Sequence, residues 1–167
     1  MRRRNSIEDK DNYLILNGLK WDLENTYLPV GTVSGIREGN GYSYFTFDAA
    51  QDAAALKGKR CPTQQEFAAL RGLGYSIDYN KGGFWFGVDR DLKEKSTQSL
   101  FFPFRGGYNT TGNLEGTTYS GVYWSSSPMN GTYAYNLNMG YDSSIYLHTS
   151  NTSTKAEGFS LRCVRDL

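Results

Sequence analysis

Beyond Gly74 the sequence abandons helical periodicity, and that change limits the fold more than any other feature. The runs GGFWFGV (82–88) and SLFFPF (99–104) are short and strongly apolar, as expected of buried strands. GVYWSSS (121–127) follows, and then the residues alternate. Tyr135, Leu137 and Met139 fall on one side, Asn136, Asn138 and Gly140 on the other. Past an expected turn at Gly140–Ser143, Ile145 and Leu147 face one way while Ser144, Tyr146 and His148 face the other. The pattern predicts a hairpin with one apolar face and one outward polar face. The terminal FSLRCVRDL (159–167) is apolar on both faces and is expected to be a central strand.

Before Gly74 the period is mixed. NYLILNGLKWDLENTYL (12–28) reads as a strand pair with Asn17-Gly18 as its tight turn, and GYSYFTF (41–47) as another strand. TFDAAQDAAALKG (46–58) is alanine-rich, with Thr46 placed to cap a short helix and Gly58 to stop it. PTQQEFAALRGLG (62–74) predicts a second helix. Thr63 and Glu66 stand at capping-box spacing, Phe67 and Leu70 supply the apolar face, and Gly72 or Gly74 ends it. Two short helices in the N-terminal half and a strand- and loop-rich C-terminal half make an α+β layout. At 167 residues the chain fits one domain, expected over 12–167 behind a flexible arm at 1–11.

Composition excludes several functions. A net charge of +1 offers no electrostatic case for nucleic acid or an anionic membrane, and Arg2-Arg3-Arg4 is offset by Glu8, Asp9 and Asp11. No apolar run reaches the length of a membrane span, and no apolar segment of a secretory signal follows the basic start. Cys61 and Cys163 are expected to be buried thiols, too few for a disulfide scaffold or a four-cysteine zinc site. His148 is the sole histidine, which leaves no His-based metal triad and no Ser-His-Asp chemistry to assemble around a second one. No phosphate-cradling loop and no nucleophile beside a base is visible, so no cofactor is expected. The Asn-X-Ser/Thr sequons at Asn109, Asn130 and Asn151 are what so Asn- and Thr-rich a segment produces.

Six motifs fall in order along the chain: NGLKWDLEN (17–25), KGKRCPTQQEFAAL (57–70), WFG (85–87), SLFFPFRGG (99–107), GVYWSSS (121–127) and GFSLRCVRD (158–166). Together they resemble the Fibrobacter succinogenes major paralogous domain family, which has a C-type-lectin-like fold related to formylglycine-generating enzymes. More narrowly, they resemble the variable proteins of diversity-generating retroelements in gut Bacteroidetes and their phages. The resemblance implies a C-type-lectin-like domain with a variable region over about 106–165. It also implies that Arg60 and Arg162 belong to the framework, through salt bridges or carbonyl contacts.

That resemblance bears on an unusual segment. Gly121–Ser153 is dense in Tyr, Asn, Ser and Thr, and Asp142 is its only charged residue. In such retroelements the adenines of a template are randomised. An AAC codon can then become Asn, Tyr, Ser, Thr, Asp, His or Gly, among others, but never Lys, Glu, Gln, Met or Trp. No Lys or Gln occurs between Gly106 and Thr154. The positions that obey the pattern are Tyr108, Asn109, Thr110, Asn113, Tyr119, Asn130, Thr132, Tyr133, Asn136, Asn138, Tyr141, Asp142, Ser143, Tyr146, His148, Ser150 and Asn151. They are the expected ligand contacts; Trp124, Met129 and Met139 are expected scaffold or unmutated template. Tyrosine offers a stiff amphipathic surface, and Ser and Asn adapt their hydrogen bonds, the mixture that antibody paratopes use.

The expected function is non-enzymatic binding of a protein or glycan receptor on another cell. The chain would serve as a phage tail receptor binder docked to the virion through its N-terminal part, or as a surface adhesin. Several copies would raise avidity, and a homo-oligomer such as a trimer would suit a tail. Two alternatives differ in class. A formylglycine-generating-like enzyme needs a pair of cysteines close in space, and a calcium-dependent lectin needs clustered hard oxygens. Between Gly106 and Thr154 the only carboxylates are Glu115 and Asp142.

Overall fold

The structure, a computed structural model, describes residues 12–88, 99–141 and 146–167. The expected arm (1–11), the candidate contacts Asp142 and Ser143, and Ser144 and Ile145 of the expected hairpin lie outside the described residues.

Asn17 and Gly18 join β1 (Tyr13–Leu16) to β2 (Leu19–Asp22) as an antiparallel pair. Both take positive φ, 57° and 79°, the conformation that makes Asn-Gly a hairpin turn. β3 (Ile36–Gly39) and β4 (Tyr42–Phe45) form a second pair. The two predicted helices follow as α1 (Phe47–Leu56) and α2 (Gln64–Gly72). Thr46 Oγ1 accepts from the Ala49 amide at 3.3 Å. Thr63 and Glu66 complete the capping box, each side chain accepting from the other's backbone amide at 3.1 and 2.9 Å.

The remaining strands are β5 (Tyr75–Asp78), β6 (Gly83–Phe86), β7 (Leu100–Pro103), β8 (Gly107–Tyr108), β9 (Leu114–Glu115), β10 (Ser120–Pro128), β11 (Tyr133–Gly140), β12 (Tyr146–Thr154) and β13 (Val164–Asp166). They build small antiparallel sheets in the orders β5-β6-β7, β8-β9 and β10-β11-β12, while β13 adds to β1-β2. Short helices on small antiparallel sheets make this an α+β protein. Among the described residues no helix is long and apolar enough to cross a membrane.

The sheet β10-β11-β12 divides the interior. Tyr123, Leu137, Met139 and Leu147 face a cluster that includes Phe67 and Leu70 of α2 and the rings of Trp21, Phe84 and Phe102. Val122, Trp124 and Ala134 face a second cluster, built on the four buried alanines of α1, Phe45 and Phe159. Alanine lets α1 approach the sheet closely, so that Phe47 meets Trp124 edge-on at 5.5 Å.

This double-sided packing corrects the hairpin reading. Asn136, expected to point outward, has no exposed surface. Its Nδ2 donates to Ser153 Oγ and its Oδ1 accepts from Asn151 Nδ2, each at 3.0 Å. α1 and Trp124 close that end of the polar face, so only a residue with its hydrogen bonds satisfied inside can occupy it.

The C-terminal segment is likewise only partly as expected. It is buried from Gly158 to Val164, but only Val164–Asp166 forms a ladder, at the edge position in the order β1-β2-β13. The rest threads between sheets. Phe159 exchanges backbone hydrogen bonds with Phe45, Ser160 bonds Val122 and Trp124, and Val164 exchanges bonds with Arg60. Within this thread Arg162, 1 % exposed, makes four hydrogen bonds: Nε and Nη2 donate to Asn25 Oδ1, Nη1 to the Asp22 carbonyl and Nη2 to the Phe101 carbonyl. Its guanidinium also lies 4.2 Å from the Phe102 ring centroid. Lys59 Nζ donates to both oxygens of Asp22 at 3.0 and 2.9 Å with its side chain 1 % exposed. Arg60 pairs with Glu66 at 2.7 Å and with Asp166 at 2.9 Å.

Candidate binding site

Five of the expected contacts meet at one cleft. Tyr108 and Asn109 come from β8 and the loop after it, Tyr119 from the turn before β10, Asn138 from β11 and Tyr146 from β12. The cleft holds about 270 Å³, and Val122 and Phe159 contribute apolar lining. Strand pairing brings the two hairpin residues together: Asn138 pairs with His148 and Gly140 with Tyr146, so the four side-chain positions share a face. A Cβ at Gly140 would meet the Tyr146 ring and hydroxyl, so a larger residue there would displace that side chain.

The walls are held from behind. Tyr108 donates its hydroxyl to the Glu38 carbonyl at 2.9 Å, packs edge-on against Tyr44 at 5.2 Å, and carries the Arg37 guanidinium 4.7 Å from its ring centroid. Asn109 Oδ1 accepts from the Thr111 and Asn113 amides and from Thr111 Oγ1, which closes the loop 109–113 on itself. Tyr146 stacks on His148 with centroids 5.6 Å apart. Tyr119 is 39 % exposed and is the least restrained wall.

Asn138 differs from its neighbours. Its Oδ1 is buried and accepts no hydrogen bond among the described residues. Leaving an acceptor buried and unpaired costs about 1–3 kcal/mol. Beside it the cleft carries two carboxylates, Glu115 and Glu157, that were not among the expected contacts. Burial pushes the Glu157 carboxyl above its ordinary value, the Thr154 amide that donates to it opposes this, and the nearby Glu115 charge adds to the rise. Glu115 was visible in sequence only as a rare carboxylate in its segment; nothing in the pattern linked Glu157 to it.

The other expected contacts lie apart. Thr110 lines an adjoining groove that shares Tyr108 and Asn109, and Asn113 is exposed on the same loop. His148 is exposed beside Tyr146. Asn130, Thr132 and Tyr133 form the turn at the other end of β11, about 17 Å from Asn138 at strand rise. There Asn130 Oδ1 accepts from the Thr132 and Tyr133 amides, and Met129, expected as scaffold or unmutated template, is 54 % exposed. Ser150 is exposed at the irregularity where the β11–β12 register shifts. Asn151 is spent on Asn136. Tyr141 packs on Phe104 and Tyr79 at 5.2 and 5.4 Å, on the opposite face from Asn138.

Size alone would select another cleft, about 510 Å³ between Tyr42, Trp85, Phe101 and Arg105. Its rings are already covered: Lys81 lies over Trp85 and Phe101, and Arg105 over Tyr42 at 4.1 Å. Cys61 and Cys163 are both buried free thiols. Burial pushes both thiols up, Cys163 to about 11, so neither is a thiolate at neutral pH. Among the described residues no group of three or more His, Cys, Asp or Glu side chains converges as a metal site. No family model matches the chain, and no curated protein and no solved structure is significantly similar to it.

Proposed function

We propose that this chain is a non-enzymatic receptor-binding domain of C-type-lectin-like type, whose Tyr/Asn-rich cleft recognises a protein or glycan on another cell. The observation that carries the reading is the convergence of Tyr108, Asn109, Tyr119, Asn138 and Tyr146, from separate segments, on one cleft. Their backbones belong to strands and loops anchored by the cores, and Tyr119, whose side chain is the least restrained of the five, can change with little effect on what holds the fold. Diversification by a retroelement would act on such positions, and a phage tail or a cell surface would present them in several copies. Protonated, buried thiols speak against cysteine-based oxidation.

The test is binding of the fluorescently labelled chain to intact bacteria of the source community, beside Y119A and Y146A variants. Binding that the variants reduce tenfold or more supports the reading; equal binding by all three chains removes the cleft from it. Sequencing the 3′ end of the gene across the population tests diversification. Adenine-confined differences from a neighbouring template, concentrated at codons 108, 109, 119, 138 and 146, are the expected result, and one invariant sequence without a template would refute it.

A further inference from the structure

The larger cleft, of about 510 Å³, is positively charged: Lys81, Arg105 and Arg162 line it, and Glu24 is the one carboxylate among its lining residues. Its two outer cations are held in place without being neutralised. Asp78 fixes the turn between β5 and β6, where its Oδ1 accepts from the Lys81 amide and its Oδ2 from the Trp85 indole, each at 2.9 Å. The Lys81 ammonium lies 4.6 Å from the Phe101 ring centroid and 5.1 Å from that of Trp85. Arg105 lies 4.1 Å from the Tyr42 centroid and donates to the Phe104 carbonyl at 3.3 Å. A ring face attracts a cation but leaves most of its N–H groups without an acceptor. Neither Lys81 nor Arg105 pairs with a carboxylate among the described residues.

Arg162 points the same way on separate grounds. A charge as deeply buried as this one is ordinarily paired with an opposite charge. Its four hydrogen bonds go instead to the uncharged Asn25 side chain and two carbonyls, while the Asp22 carboxylate is bonded by Lys59. Burial lowers the Arg162 pKa below its ordinary value, and the more distant Asp22 and Glu24 charges only partly offset this. The guanidinium is too enclosed to touch a ligand, but its field reaches the cleft through surroundings of low dielectric.

From this arrangement we infer that the larger cleft is a second binding site, which takes an acidic sugar, a uronic or sialic acid, with its carboxylate on Arg105 and Lys81. It shares no lining residue with the Tyr/Asn-rich cleft, so the inference goes beyond the receptor-binding proposal and does not rest on it. The planar fork of Arg105 matches a carboxylate, and Lys81 adds a point charge with rotatable donors. A polyanion suits the cleft less well, because Glu24 would repel it and the chain as a whole carries a net charge of only +1. The body of the ligand meets a mixed wall. Glu24 and the Tyr42 hydroxyl have no hydrogen-bond partner among the described residues and can accept from hydroxyl groups, while Leu23 and Pro103 offer apolar surface to a C–H face. A pyranose bearing a carboxylate supplies the charge, the hydroxyls and the C–H face together. An acidic amino-acid side chain supplies no hydroxyls and leaves Glu24 facing a like charge.

The experiment is a two-dimensional NMR titration of the full chain with the methyl glycosides of glucuronic acid and N-acetylneuraminic acid, and with methyl glucoside as the neutral control. Saturable shifts of the Trp85 indole and of the Gly82 and Arg105 amide signals by an acidic sugar, in the millimolar range of a single sugar unit, are expected. Methyl glucoside should leave these signals in place. K81Q, at an exposed position, and R105Q should each weaken the response at least fivefold. E24Q removes the one lining carboxylate and should strengthen it severalfold, a gain that a damaged fold cannot produce. Equal shifts by methyl glucoside, no saturable response to either acidic sugar, or tighter binding of Nα-acetyl-glutamate methylamide or inorganic phosphate would each overturn the inference. Cell binding that Y119A abolishes, in a chain without a response to acidic sugars, would overturn it while sparing the receptor-binding proposal. A saturable response that Y119A leaves unchanged, in a chain that binds no cells, would support the second site and remove the receptor reading instead.

Discussion

Arg162 and Asn138 are both polar side chains set among apolar neighbours, and the contrast between them separates framework from cleft. The Arg162 guanidinium makes four hydrogen bonds, to Asn25 and two carbonyls, and packs on an aromatic face. Asn138 holds an acceptor that nothing answers among the described residues. A buried polar group with all its partners fixes the chain around it, because no rearrangement improves it. One with a vacancy costs the fold the desolvation of its unpaired atom instead. The same division runs through the carboxylates: Asp22 is bonded twice by Lys59, whereas among the described residues Glu157 has a backbone amide and a like charge nearby.

The largest test of this contrast is R162M. It strands Asn25 Oδ1 and two carbonyls and should cost about 3–5 kcal/mol in urea unfolding. K59M should fall in the same range, about 3 kcal/mol, because it leaves Asp22 buried without its cation. A loss under about 1 kcal/mol in either variant would break the distinction between bonded framework and open cleft. The pair N136A and N138A sharpens it within one strand. N136A should cost about 1–3 kcal/mol by stranding Ser153 and Asn151, while N138A should be neutral or stabilising by up to about 1 kcal/mol, since it deletes an unpaired acceptor. Thr63→Ala, which opens the capping box, should cost about 1 kcal/mol and leave cell binding unchanged.

The smallest effect is one of pH. The Glu157 carboxyl is held above its ordinary value of 4.5, so the native state binds the proton more tightly than the unfolded chain. Stability from this group is fully present below 4.5 and is lost as pH rises through the native value. E157Q removes that loss. Its Tm should match the parent's below pH 4 and exceed it at pH 7; a variant less stable than the parent at pH 7 would show that the charged form is satisfied after all.

Much of the fold was legible because it is local. Asn17-Gly18, the Thr63–Glu66 box and the alanine run of α1 act within a few residues of chain, so their consequences can be read from spacing. The alternation of Leu137, Met139 and Leu147 also predicted their burial. β3 was not legible, since Arg37-Glu38 interrupts any apolar period and the strand exists by pairing with β4. Residue type and alternation identified the polar candidates along 108–151 but treated them as one surface.

The sequence by itself determined which residue types make up the polar side of the C-terminal strands: tyrosines, asparagines and hydroxyls that alternate with core residues. Only the tertiary structure decided which of them belong to a site. Alternation tells which side of a sheet a residue takes, but what lies on that side is supplied by distant chain. Helix α1 and Trp124 seal Asn136, while β8, β9 and the turn before β10 stand off from Asn138 and leave a cleft. The carboxylates that line that cleft with Asn138, Glu115 and Glu157, are brought there by pairings that no local pattern encodes: β8 with β9, and Gly158 with Tyr108.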